Sequence, residues 1–173
     1  MGKKSTKTDK NIYFQAREDA GFTRAEAADH MDAFSDSRIE KIEYGDMTPL
    51  PEDVLTMAKA YKRPDLCNYY CTHQCAIGRQ SIPEVKLSSL SEITLQTLAT
   101  LNELEKKKDR MIEISADGQI TEDEYEDFAI IQEGLQKISM GVEALKLWVN
   151  KAIADGSIDQ DKLHTVKESM KKN

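Results

Sequence analysis

Apolar residues in this chain recur at steps of three and four, the spacing that keeps side chains on one face of a helix. Val54, Leu55, Ala58 and Tyr61 form one such stripe. Leu87, Leu90, Thr94, Leu98, Leu101 and Ile112 form a second, which predicts a helix from about Pro83 to Ser115. Phe128, Ile131, Leu135, Ile138, Val142, Leu145, Val149 and Ala152 alternate steps of three and four without a miss, the pattern of a helix seam. The pattern predicts an all-α chain: short helices over residues 11 to 61, then two long helices joined by a short turn into an antiparallel hairpin.

Punctuation residues sharpen these boundaries. Thr23 followed three residues later by Glu26 is a capping box, and Ala25, Ala27 and Ala28 let a second helix approach closely. Ser35 caps the next helix, whose sequence runs to Tyr44 and Gly45. Pro83 marks a break after the more compact first part. The later turn, Glu113 to Glu124, has oxygen-bearing residues at its first, third and fifth places, Gly118 sixth and Glu124 twelfth, as an EF-hand calcium loop does. It departs at the first place, where the longer Glu113 side chain crowds the ion. A helical turn accounts for the same residues: Gly118 ends one helix, Thr121 caps the next, Glu124 completes the box and Ile120 staples onto Tyr125. Residues Ala154 to Ile158 repeat that chemistry with Lys151 and Lys162 where calcium needs acids, which favours the turn.

At 173 residues, 39% hydrophobic and 32% charged, both halves are long enough to hold a core. No stretch approaches the roughly 18 consecutive apolar residues of a membrane span, and no apolar signal region follows the basic start, so a cytoplasmic protein with no membrane partner is expected. Up to Arg79 there are 12 basic and 13 acidic residues, and after it 12 and 18, so the net charge of −7 divides as −1 and −6. The acid load sits in the second half. Lys3, Lys4, Lys7 and Lys10 make residues 1–10 a flexible basic arm, either tracking phosphates or simply solvated.

The segment Phe22 to Gly45 carries a resemblance. Arg17 in the first helix, Gly21 closing it, Thr23 capping the second, Ala28 within it, Ser35 capping the third, Ile39 and Ile42 on its inner side, the Glu43-Tyr44-Gly45 ending and Pro49 beyond it together resemble the Xre family, the Cro and phage-repressor type of helix-turn-helix. The resemblance covers about residues 1 to 79. It implies a five-helix lambda-repressor-like domain over residues 11–79 that sets the Ser35 helix in the major groove of double-stranded DNA, as a transcriptional regulator of phage or mobile-element style. By the same resemblance Ser35, Ser37, Arg38 and Lys41 face DNA, Asp36 lies near base edges, and Arg24 touches a phosphate. Such regulators normally bind as dimers on two-fold sites. Residues 80–173 are then expected to form the helical hairpin and to self-associate through these C-terminal helices, because Leu147 and Trp148 widen the apolar surface beyond what two helices cover.

A second functional class fits the charge better. The third helix carries Asp36, Glu40 and Glu43 against only Arg38 and Lys41, whereas DNA affinity comes largely from cations that neutralise phosphates. An antitoxin-like or adaptor module that uses the fold to bind a protein is the alternative. No phosphate-binding loop, nucleophile elbow or paired carboxylates in an apolar setting points to an enzyme, and no cofactor is expected. All three cysteines fall with a histidine in Cys67, Cys71, His73 and Cys75. Four such ligands suit zinc, but structural zinc sites usually join two separated knuckles. Thiols packed under a fifth helix are the preferred reading; a Cys71 to Cys75 disulfide and a reactive thiol are the others.

Overall fold

In a computed structural model of the chain, residues 10–32 and 34–171 are described. Lys3, Lys4 and Lys7 of the expected basic arm lie outside them, as does Ala33 of the turn before the third helix. Helices account for 71% of the described residues, and no strand occurs among them. The chain divides into two compact units, Met1–Ile82 with Val149–Asn173, and Pro83–Trp148. The last 25 residues of the expected 80–173 tail therefore group with the first unit; within it, Lys151 Nζ donates to the Lys62 carbonyl at 3.1 Å.

The first unit opens with six helices: α1 (Ile12–Asp19), α2 (Arg24–Asp29), α3 (Asp36–Tyr44), α4 (Pro51–Ala60), α5 (Asp65–His73) and α6 (Gly78–Ser81). Local chemistry fixes their ends. Asn11 caps α1 by accepting from the Phe14 amide at 3.0 Å, and its own amide nitrogen donates to the Ile42 carbonyl at 2.7 Å, tying the start of α1 to the end of α3. Pro51 occupies the first turn of α4, where its missing N–H costs nothing, and Asp53 two residues on accepts from the Leu50 amide at 2.8 Å. The core gathers Tyr13, Ala16, Ala27, Ile39, Ile42, Val54, Met57 and Leu66. Each large apolar side chain buried there contributes about 1.5–3 kcal/mol.

The second unit contains α7 (Leu90–Glu105), α8 (Lys108–Ser115) and most of α9 (Tyr125–Ala154). The single helix expected from Pro83 to Ser115 is not formed. Residues 83–89 are non-helical, Ser89 caps α7 by accepting from Glu92 N at 3.2 Å, and the chain bends at Lys106 and Lys107 before α8. No Gly or Pro makes that bend. It brings Lys107 and Arg110 to the same carboxylate, Asp127 of α9, at 3.1 and 2.9 Å.

The packed faces also differ from the expected ones. On α7, Ile93 is buried and Thr97, Thr100 and Leu104 are half-buried, whereas Leu90, Leu98 and Leu101 stay exposed. On α9, Gly134 lies under Leu104 and Gly141 under Thr97, so the two helices run antiparallel and touch where α9 has no side chain. A Cβ at either glycine would come within 2.6 Å of its neighbour. Of the expected α9 seam, Ile131 and Ala152 are buried, but Phe128, Leu135, Val142 and Leu145 are exposed. The Leu104 and Thr97 side chains sit in the spaces that Gly134 and Gly141 leave on α9, and that side of the helix is the one α7 meets.

In the turn between α8 and α9, Gly118 takes the left-handed backbone conformation at φ 72°. Thr121 N and its hydroxyl both donate to Glu124, at 3.0 and 2.8 Å, completing the cap, and Glu113 pairs with Arg110 at 3.1 Å. These acids serve helix ends and an arginine. Helix α10 (Gln160–Met170) follows a similar turn, capped by Asp159.

Candidate nucleic-acid interface

Helix α3 has two edges of different character. Ile39, Ile42 and Glu43 are buried, and Ser35, Asp36, Ser37, Lys41 and Tyr44 are exposed. Ser35 caps the helix by accepting from Arg38 N at 3.2 Å, and Gly45 ends it at φ 78°, a conformation that favours glycine. Before it, Thr23 and Glu26 exchange bonds of 3.2 and 2.7 Å in the capping box that starts α2.

The inner edge is fixed by charge as well as by packing. The Glu43 side chain is 0% exposed, and a carboxylate there is tolerable only because its lone pairs are filled. Arg17 gives it two bonds, Nε at 2.5 Å and a terminal nitrogen at 3.0 Å, and Arg24 Nε gives a third at 2.8 Å. Arg17 also donates to the Phe22 carbonyl at 2.7 Å, so one guanidinium holds the α1–α2 turn and the end of α3 together. Burial works against the Arg24 charge, but the hydrogen bonds and charge interactions with Glu43 and Tyr44 together outweigh it and hold the guanidinium above its ordinary range. Tyr61 lies within the field of the same carboxylate. Burial first, then Glu43, push its phenol above the usual value.

The six residues expected at DNA thus divide. Ser35, Asp36, Ser37 and Lys41 occupy the exposed edge. Arg24 is committed to Glu43 and, at 3.2 Å, to Glu40, with its guanidinium 5.0 Å from the centre of the Tyr44 ring. Arg38 turns toward α4, where one terminal nitrogen meets both Asp53 oxygens at 3.0 and 2.7 Å. Its Nε is buried with no hydrogen-bond partner among the described residues. Lys41 is in no ion pair among the described residues, which leaves it as the cation of the exposed edge. Sequence reasoning did not find the Asp53 partner of Arg38, although an acid at the third position of a proline-led helix signals a cap. Nor did it single out Tyr44, exposed where α3 ends.

The cysteines lie on and just beyond α5, half-buried. Cys67 packs against the core with Tyr69 and Tyr70, and burial pushes the Cys67 and Cys71 thiols up, away from the reactive thiolate. His73 stacks on Tyr69, ring centres 4.3 Å apart. Among the described residues no three His, Cys, Asp or Glu side chains are grouped to hold a metal ion. None of the described helices is long and apolar enough to cross a membrane.

The chain matches no protein-family model, no curated protein and no solved structure. What the all-α fold and this two-edged helix do rests on their own chemistry.

Proposed function

We propose that this chain is a sequence-specific DNA-binding transcriptional regulator of the Xre type, with α1–α5 as a lambda-repressor-like helix-turn-helix domain and α3 as the helix that enters the major groove. It acts in the cytoplasm as a homodimer through its C-terminal helices and needs no cofactor. The observation that carries this reading is the division of α3: the inner edge is clamped by Glu43 with Arg17 and Arg24, while Ser35, Asp36, Ser37 and Lys41 stand in solvent. A rigid rod with a free polar edge is what groove recognition needs, because each base contact must be held in register. Ser35 and Ser37 can contact phosphate or base edges, Asp36 can accept from a cytosine amino group, and Lys41 supplies a phosphate cation. Labelled genomic fragments, including the chain's own promoter region, titrated with protein across a salt series test the proposal. Lys41→Ala is expected to weaken binding and lower the salt slope by about 1.

One observation favours a second reading. Arg24 and Arg38 are engaged by Glu43, Glu40 and Asp53, so the exposed edge is less cationic than its sequence suggests. An antitoxin-like or adaptor module would use the same edge against a basic protein surface. Absence of any shift at low salt would favour it.

A further inference from the structure

Within the second unit the antiparallel α7–α9 pair has two flanks of opposite chemistry. The facing residues fix them, since Leu104 over Gly134 and Thr97 over Gly141 mark the line between the helices. On one side of that line runs a groove whose rims carry Glu92, Glu103, Glu133 and Lys137. Helical spacing turns Leu90, Leu98 and Leu101 of α7 and Phe128, Leu135 and Val142 of α9 to the other side. Each of these six keeps 38–51% of its surface in water. The buried Ile131 and half-buried Ile138 lie at the junction between the two rows.

Between Glu105 and Lys146, which follow Leu101 and Val142 by four residues and lie at its two ends, this flank carries little charge. Residues 93–102 of α7 contain no Asp, Glu, Lys or Arg on any side, and the α9 positions beside the apolar row are Gln132, Gln136 and Ser139. An apolar stripe on a helix normally faces a partner, and Leu90, Leu98 and Leu101 of α7 face none within the unit. At roughly 80 Å² each, the six side chains expose on the order of 500 Å², near the upper end of what a monomer leaves bare. Two copies meeting there bury about 1,000 Å² of apolar surface before any polar rim is added, about the least a specific interface needs. With a net charge of −7, copies repel each other over most of their surface. A neutral flank is where that repulsion is least.

We propose that this flank is a self-association surface on which the α7–α9 pairs of two chains pack face to face as a four-helix bundle. The choice of a second copy as the occupant rests in part on the regulator reading, which needs two heads on a two-fold site. The contact differs from the α9 seam expected from the sequence, because it uses both helices.

The test is the mass of the full chain in solution without DNA, by light scattering and sedimentation over a dilution series. The wild type is expected at twice the monomer mass. Leu98→Glu and Leu135→Glu replace side chains already about half exposed, so each is expected to keep its helical circular dichroism and raise the dimer dissociation constant about 100-fold or more. Ile112→Glu, on α8, is the control and is expected to remain dimeric. Leu98→Ser and Leu135→Ser replace the acidic variants if either loses helix. A monomeric wild type at about 100 µM, or a dimer that survives both flank substitutions, overturns the proposal. A monomer that still shifts DNA would sink this interface and leave the regulator standing; a dimer indifferent to DNA would do the reverse.

Discussion

Replacing Glu43 isolates the clamp that holds the inner edge of α3. Its two oxygens receive three charge-assisted hydrogen bonds, and its side chain is wholly covered, with that of Arg17 8% exposed. Glu43→Ala leaves the Arg17 guanidinium buried without a counter-charge, the situation that costs about 3–5 kcal/mol when one partner of a buried pair is removed. Arg24 is more accessible and still has Glu40, so its share of the loss is small. The expected cost therefore falls near the low end, about 3 kcal/mol. Glu43→Gln keeps the volume and one carbonyl acceptor and is expected to cost about 2 kcal/mol. Native-state hydrogen exchange read by mass spectrometry reports both, because amides of α1, α2 and α3 are expected to lose protection while those of α7 serve as an internal reference. A change below about 1 kcal/mol for Glu43→Ala would refute the argument, since the clamp would then carry no net stability.

Three further outcomes follow from other contacts. Gly78→Ala is expected to destabilise the first unit by about 1–3 kcal/mol in thermal unfolding, because the added Cβ would run into the Cys71 carbonyl, and backbone cannot swing aside. An unchanged melting temperature would contradict that close approach. Asp127 is held below the usual carboxylate range by hydrogen bonds from Arg110 and then Lys107. Its folded value lies under its unfolded one, so its contribution is present above about pH 4 and is lost as pH falls below that. Asp127→Asn is thus expected to lower the melting temperature at pH 7 and to match the wild type near pH 2, whereas a gap independent of pH would count against the link. Finally, chelation is expected to leave the melting curve unmoved and purified protein to carry no stoichiometric zinc. About one zinc per chain, lost on Cys71→Ser, would reverse the packing account of the cysteines.

Features decided within a few residues were legible in the sequence. Ser35 and Gly45 bracket α3, Thr23 and Glu26 start α2, and Thr121 with Glu124 caps the turn before α9, each through bonds that span four residues or fewer. Features decided by a distant partner were not. Arg38 looked free for DNA because its acid, Asp53, lies 15 residues away on another helix. The long stripes revealed apolar helices without saying which of their several apolar faces meets a neighbour. Gly134 and Gly141, about two turns apart on one side of α9, held that information, since Leu104 and Thr97 of α7 lie where α9 has no side chain. The bend at Lys107 carried no local signal: neither Gly nor Pro marks it, and the carboxylate that Lys107 meets there, Asp127, lies 20 residues away.

Selection of binding sites from a random pool of duplexes by the full chain tests the central claim most directly. Recovery of a defined sequence is expected, arranged as inverted half-sites about 10 base pairs apart and lost when Lys41 and Ser37 are both replaced by Glu. A pool that stays random through successive rounds at about 50 mM salt would contradict it, and would leave the exposed edge of α3 to a protein partner.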